Sequence, residues 1–288
     1  MNLATAAAPW QFHVHADVWA LVAALAGGYL WALRGQRNRT AADPLAEPSA
    51  TRRQKILFFA GVAALWMGAD WPIHDVAERS MYSVHMIQHM IFTFAAAPLL
   101  LLGTPAWLFR RLVRPRLLMS IVRTVSRPFV ALIVFNVALV FTHWPLIVTA
   151  SVQSEWIHFG LHVLIFASAL AMWMPVASPV IELPRLSYPG QMVYLFLQSL
   201  VPTVPASFLT FGTRPLYAVY VSMPKLWGIS PLTDQTTAGL IMKIVGGFIL
   251  WGVITALFFR WYKIEHSEGI DVLAFRNVDR ELNRGMGR

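Results

Sequence analysis

The sequence is 288 residues long, 57% hydrophobic and only 13% charged, a composition that excludes an ordinary soluble domain and indicates an integral membrane protein. It contains no cysteine, which excludes disulfides, thiolate metal sites and cysteine nucleophiles together. The formal net charge is +9, but the basic residues flank apolar segments, so we attribute them to membrane topology and not to nucleic-acid binding.

Apolar segments long enough to span a bilayer, at about 20 residues each, recur along the chain. They predict an all-α polytopic membrane protein, a bundle of seven transmembrane helices. No basic region precedes the first alanines, so we expect no cleaved signal peptide. The predicted organisation is an extracytoplasmic N-terminal segment (1–16), a transmembrane domain (17–262) and a cytoplasmic tail (263–288). The predicted spans are Asp17–Leu33, Ile56–Trp71, Val84–Leu102, Phe129–Trp144, Trp156–Met174, Gln191–Phe211 and Ala238–Trp261.

The basic residues predict the orientation of the bundle. Of the 23 lysines and arginines, 19 fall in the tail or in the loops after the first, third and fifth segments. Because cytoplasmic loops carry the excess of basic residues, we expect the N-terminus outside and the C-terminus in the cytoplasm. The membrane we expect is the bacterial plasma membrane.

Histidines concentrate at the predicted outer ends of the helices, and of nine only His266 falls on the cytoplasmic side. His85 and His89 open the third segment, and His158 and His162 open the fifth. A spacing of four residues puts both imidazoles of a pair on one face of a helix. Helical bundles build metal sites from inward side chains on facing helices, so we predict that the two pairs share one site.

Two further ligands are predicted beside these pairs. His143, at the outer end of the fourth segment, adds an imidazole, and Met90 adds a thioether next to His89. Imidazole and thioether suit copper, and thioether favours Cu(I). Because imidazole ligands must be deprotonated, Cu(I) binding should weaken as the pH falls through their ordinary pKa of about 6.5. The groups that we expect to orient the ligands are Asp70, His74, Asp234, Gln235 and Lys243.

Simpler or different interpretations stay open at this point. The histidine pairs could form hydrogen bonds between helices, Asp70 and His74 could form an interfacial ion pair, and His13 and His15 could belong to a solvated tail. Opposed histidines could also hold haem, as in membrane b-type cytochromes. A metal-free structural scaffold is a third possibility. The sequence has no Gly-x-Ser-x-Gly elbow, phosphate loop or His-Glu-x-x-His helix, so we do not expect an enzyme.

Several motifs together resemble the CtaG family of cytochrome c oxidase assembly factors. They are His85-Met-Ile-Gln-His-Met90, Ala97-Pro-Leu-Leu100, Leu102-Gly-Thr-Pro105, Phe141-Thr-His-Trp-Pro145, Trp156-Ile-His158 with His162, Leu209-Thr-Phe-Gly-Thr-Arg-Pro-Leu-Tyr217, and Pro231-Leu-Thr-Asp-Gln235 followed by Ala238-Gly-Leu-Ile-Met242.

The resemblance covers about residues 55–262 and departs from the family pattern at two positions. Lys243 stands where an aromatic residue is expected, and His74 stands where the family more often has simple loop residues. The resemblance implies a plasma-membrane protein needed to mature the oxidase at its copper centres. We therefore expect a factor that holds Cu(I) near the outer face and passes it to an oxidase subunit. The partners we expect are oxidase subunits, periplasmic copper donors and the lipid bilayer.

Overall fold

The structure is a computed structural model that describes residues 12–43 and 45–286, with side chains described as far as His266. All regular secondary structure in these ranges is helical, so the predicted all-α fold is confirmed. The predicted N-terminal segment before residue 12, and the side chains of the predicted cytoplasmic tail after His266, lie outside the described residues.

The described helices are joined by short connections, and two of them continue through a π-helical turn. The turns are Ile91–Ala96 and Ile241–Val245, and a short 3₁₀ turn spans Leu226–Gly228. The α-helices are α1 (Ala16–Ala42), α2 (Arg52–Ala69), α3 (Ile73–Arg79), α4 (Tyr82–Met90), α5 (Ala97–Gly103), α6 (Ala106–Leu112), α7 (Arg116–Val125), α8 (Pro128–Thr142), α9 (Pro145–Gln153), α10 (Glu155–Ala177), α11 (Tyr188–Leu200), α12 (Thr203–Phe211), α13 (Ala218–Val221), α14 (Pro231–Leu240) and α15 (Gly246–Met286).

Six stretches of the described chain are long and apolar enough to cross a membrane. A seventh exists if α7 and α8, which meet at an angle of 85°, form one broken span. The chain is therefore a multi-spanning membrane protein, as predicted, with six or seven spans. The orientation of its termini stays a prediction. The six are Ala16–Ala42, Arg52–Arg79, Tyr82–Gly103, Glu155–Ala177, Tyr188–Phe211 and Pro231–His266.

Polar side chains collect at two opposite ends of the bundle. We call one the histidine end, where the start of α4, the start of α10 and the short α3 meet. We call the other the arginine end, where Arg110 of α6 forms ion pairs with Glu47 and Glu182 from two connections. The six apolar stretches run between these two ends, so each stretch has one terminus at the histidine end and the other at the arginine end.

A buried polar network ties three helices together in the apolar interior. Asn136 of α8 donates to Gln198 of α11 at 2.7 Å, and Gln198 donates to the hydroxyl of Tyr194 at 2.9 Å. Tyr194 donates in turn to the carbonyl of Met172 in α10 at 2.8 Å. Hydrogen bonds of this kind between helices stabilise a bundle in a membrane. The network fixes α10 against α8 and α11.

One hydrogen bond also fixes α10 against the helix that carries the other histidine pair. The indole nitrogen of Trp173 in α10 donates to the carbonyl of Thr93 at 2.7 Å. Thr93 lies in the π-helical turn that follows α4, where the altered hydrogen-bond pattern of the backbone makes carbonyls available to outside donors. The register of the two histidine-bearing helices is therefore set by a buried contact that lies about one turn after His89 and about three turns after His162.

Candidate metal centre

Three histidines from two helices converge inside the histidine end. We call His85 and His89 of α4 and His162 of α10 the inner cluster. One ligand atom of each lies within 4.8 Å of the others. The ring centroid of His162 is 5.8 Å from that of His85 and 5.6 Å from that of His89. The structure thus brings together one histidine pair and one member of the second pair.

The imidazole nitrogens of the inner cluster are buried without hydrogen-bond partners. Among the described side chains this holds for Nδ1 of His85 and for Nε2 of His89 and His162. A buried polar atom without a partner is destabilising by about 1–3 kcal/mol, and such atoms are rare in native structures. Three such nitrogens in one cluster need a physical explanation, and a cation bound by all three residues would supply one.

His143 offers a fourth nitrogen at the same level. Its Nδ1 donates to the carbonyl of Leu139 at 2.7 Å, which leaves Nε2 as the nitrogen with a free lone pair. That Nε2 is buried without a partner, and the ring lies 5.7 Å from the ring of His89. Tyr217 donates to the carbonyl of His143 at 2.9 Å. Burial raises the pKa of Tyr217 to about 12, so this donor keeps its proton at neutral pH.

A second group of ligands lies beside the inner cluster. We call His74 and Glu78 of α3 and His158 of α10 the outer cluster; their ligand atoms also lie within 4.8 Å of one another. Oε1 of Glu78 is 2.9 Å from Nε2 of His158 and 3.4 Å from Nε2 of His74. His158, predicted to share a site with His162, therefore has a carboxylate of α3 on its Nε2.

The two clusters form one continuous series of rings. The ring of His158 lies 4.2 Å from that of His162 and 6.0 Å from that of His85. On its other side it lies 5.8 Å from the ring of His74, which is 4.8 Å from the ring of His15. His158, a member of the outer cluster, is the residue whose ring lies next to rings of both clusters. The series runs from the partly exposed His15 to the buried His89.

Asp234 holds the start of the helix that carries His85 and His89. Its carboxylate accepts from the backbone nitrogens of Tyr82 and Ser83 at 2.8 and 2.9 Å, the first amides of α4. It also forms a buried ion pair with Lys225 at 2.9 Å. A helix N-terminus favours a negative charge and needs acceptors for its free amides. Asp234 is thus an orienting group, acting on the helix backbone and not on an imidazole.

Of the other predicted orienting groups, His74 belongs to the outer cluster itself. Oδ2 of Asp70 accepts from the indole of Trp66 at 2.8 Å. The amide of Gln235 accepts from the backbone of Leu216 and donates to the carbonyl of Leu209. Gln235 therefore holds two backbone segments together.

Lys243 and Met90 make contacts with residues other than the clustered histidines. The ammonium of Lys243 donates to Oγ1 of Thr203 at 2.5 Å. The sulfur of Met90 lies against Gly246, 3.5 Å from where a Cβ of that residue would be. The proposed thioether ligand stays a prediction.

The sequence allows His13 and His15 to belong to a solvated tail, but in the structure both lie next to a buried carboxylate. His15 is 2.9 Å from Oδ2 of Asp75, a carboxylate whose side chain is 1% exposed, and His13 is 3.6 Å from the other oxygen. Asp75 and Glu78 were missed in the sequence, although both lie within four residues of His74. The spacing of His74 and Glu78, four residues apart, was the available signal.

The family model for the cytochrome c oxidase caa3 assembly factor matches residues 27–264. No curated protein and no solved structure gives a significant match. The matched region begins within α1, ends in α15 and includes both clusters and His143. On this match over most of its length, the chain belongs to the family of cytochrome c oxidase caa3 assembly factors.

Proposed function

We propose that this protein handles copper during oxidase assembly: the inner cluster holds Cu(I) and passes it to an oxidase subunit for its copper centre. The observation that supports this is the convergence of buried, unpartnered imidazole nitrogens from α4 and α10. An assembly factor acts with oxidase components and is not expected to be an enzyme.

The charge of the ligand set favours a monovalent ion. The inner cluster consists of neutral imidazoles and includes no carboxylate. A buried cation held by neutral ligands keeps its whole charge in a medium of low polarity, and the desolvation penalty rises steeply with charge. Cu(I) carries a single charge and accepts imidazole and thioether ligands. His143, with its free Nε2, is the fourth donor in reach of His89.

The same geometry disfavours the bis-histidine haem alternative. A haem needs two imidazoles on opposite faces of a porphyrin, which would have to lie between α4 and α10. The ring of His85 is within 6 Å of the rings of both His89 and His162. The ring of His85 therefore occupies space that a porphyrin bound between His89 and His162 would need. A Soret band in the purified protein would contradict this conclusion.

The proposed place of transfer is the histidine end of the bundle. The concentration of basic residues at the opposite end predicts that the histidine end faces outward from a bacterial plasma membrane. Copper delivered at this face would reach extracytoplasmic oxidase domains or donors without crossing the bilayer.

The test is the Cu(I) affinity of the purified protein with both His85 and His89 changed to alanine. We expect at least about a 100-fold loss against a competing Cu(I) chelator at neutral pH, because even outer-shell changes lower metal affinity 10–100-fold. The matched control is His266→Ala, which removes a histidine at the arginine end. Wild-type affinity in the double variant would contradict the proposal. If the double variant bound Cu(I) weakly but still supported full oxidase assembly in cells, a metal-free scaffold would be favoured.

A further inference from the structure

We propose that the outer cluster is a second cation site, built for a borderline divalent ion of the Cu(II) and Zn(II) class. Its ligands are His74, Glu78 and His158. That the two clusters take different cations rests on the proposed function of the inner cluster. That the outer cluster binds a divalent ion does not.

The spacing of the ligand atoms fits a metal of this class. Two ligands about 2.0–2.1 Å from a tetrahedral metal ion lie about 3.4 Å apart. Oε1 of Glu78 lies 2.9 Å from Nε2 of His158 and 3.4 Å from Nε2 of His74. The ligand atoms of the two histidines lie within 4.8 Å of each other, so a bound ion would draw the two rings together. Two imidazoles and one carboxylate leave the fourth position of such an ion open for water or an incoming ligand.

The chemistry of the outer cluster differs from that of the inner cluster in charge. Glu78 contributes a carboxylate oxygen, a ligand that suits divalent ions such as Zn(II) and Cu(II) more than Cu(I). Its negative charge offsets part of the charge of a divalent ion. The inner cluster has no such group among its three members. The two neighbouring sites are therefore selective for different cations.

The outer cluster is also the more accessible of the two. The side chain of Glu78 is 29% exposed and that of His74 is 18% exposed, whereas His89 is 6% exposed. An ion arriving from solvent meets the outer cluster first. His158 belongs to this cluster and its ring lies 4.2 Å from that of His162, so the outer site lies directly beside the inner cluster.

The competing arrangement is a closed hydrogen-bond network without a cation. Gln88 lies 3.2 Å from Nδ1 of His74 and donates to the carbonyl of Gly68. If Gln88 also donates to Nδ1, then Nε2 of His74 carries the proton and donates to Glu78. A cation would take the lone pairs of both Nε2 atoms, so the proton of each neutral ring would have to lie on Nδ1. The two arrangements therefore need different tautomers of His74 and exclude each other.

The experiment measures Zn(II) binding to the full-length protein in detergent. Glu78→Gln keeps the size and a hydrogen-bonding oxygen but removes the charge. We expect it to weaken Zn(II) binding by at least about tenfold. The matched control is Glu155→Gln, an exposed glutamate at the start of α10 at the same end of the bundle. This control should bind Zn(II) as the wild type does.

Two further measurements separate this inference from the proposed function. With Cu(II) as the probe, electron paramagnetic resonance should show two coordinated nitrogens, one of which disappears in His74→Ala. The double variant of His85 and His89 should keep its Zn(II) site, whatever happens to its Cu(I) affinity. Equal Zn(II) binding by Glu78→Gln and Glu155→Gln would overturn the outer site.

Discussion

Both ends of the bundle are rich in polar side chains, but the ends differ in how exposed these side chains are and in whether they have partners. At the arginine end, Arg110 meets Glu47 and Glu182 in ion pairs that are about one third to one half exposed. At the histidine end, nitrogens of the inner cluster are buried and lack partners. Exposed, paired charges are readily solvated, whereas buried, unpaired nitrogens are destabilising unless something binds them.

This difference indicates which end of the bundle is the candidate functional site. The arginine end has more charged residues, but its basic residues indicate membrane topology. The histidine end is the candidate because its buried nitrogens lack hydrogen-bond partners. Beside these nitrogens, Asp234 accepts from two helix amides and pairs with Lys225, and these contacts fix the start of α4.

Apart from changes to the proposed copper ligands, the largest effect on stability is expected from removing the carboxylate of Asp234. Asp234→Ala removes the acceptor for the first two amides of α4 and leaves Lys225 in a buried position without its carboxylate. We expect a loss of about 3–5 kcal/mol in stability, the range for breaking a buried ion pair. Thermal unfolding in detergent measures it. Cu(I) affinity should fall as well, because His85 and His89 lie in the first turns of this helix.

The control for this change is another aspartate near a helix start. Asp17 lies in the first turn of α1 and is exposed, so Asp17→Asn should alter stability by no more than about 1 kcal/mol. If Asp234→Ala and Asp17→Asn unfolded at the same temperature, the histidine end would not depend on the buried carboxylate.

A medium effect is expected at the arginine end, from packing and not from charge. A Cβ added to Gly103, the last residue of α5, would lie 2.5 Å from Cα of Phe58 in α2. Because the neighbouring atoms are backbone and cannot turn away, Gly103→Ala should destabilise the protein by about 1–3 kcal/mol. Cu(I) affinity at the opposite end should not change in the folded fraction.

Gly27 in α1 is the matched control, since a Cβ there meets nothing within 4 Å. Gly27→Ala should leave the midpoint of thermal unfolding unchanged or raise it, because alanine is favoured over glycine in a helix by up to about 1 kcal/mol. Identical midpoints for the two alanine variants would show that α2 and α5 can move apart, and the close contact would not be what stabilises this end.

Much of the fold follows from the sequence, because a membrane span needs only length and apolar character. The exception is the fourth predicted span. Its helix, α8, has 15 residues, and Pro128 at its first turn separates it from α7 with a bend of 85°. Proline removes a backbone donor and sterically restricts the preceding residue. The sequence predicts a break at this position but not its angle.

The candidate site was predictable in the part that depends on local spacing. His85 and His89 share a helical face because they are four residues apart, and the helical repeat alone ensures it. The division into two clusters was not predictable in this way. It arises because α3 places Glu78 against His158, a contact between residues 80 positions apart. Such a contact depends on how helices pack and on the turn between α2 and α3, neither of which a pattern in one segment reveals.

The smallest effect is expected from the ion pairs that make the arginine end conspicuous. Arg110→Gln removes contacts of 2.7 Å to Glu182 and 2.8 Å to Glu47, yet exposed pairs contribute only about 0–1 kcal/mol. The hydrogen bond from Arg110 holds the pKa of Glu182 below its usual value. A carboxyl group whose pKa is lower in the folded state stabilises the protein above its unfolded pKa of about 4.3. That contribution is lost as the pH falls from there through the folded value.

Thermal unfolding of Arg110→Gln should therefore differ slightly from the wild type at pH 7 and low salt. The difference should vanish near pH 3, and also at about 1 M salt, where the screening length is only about 3 Å. Arg123→Gln, which removes an exposed arginine in the last turn of α7, is the control for the loss of one positive charge. Cu(I) affinity should be unchanged in both variants. A loss above about 2 kcal/mol in Arg110→Gln alone would mean that charges, and not only backbone packing, hold the arginine end together.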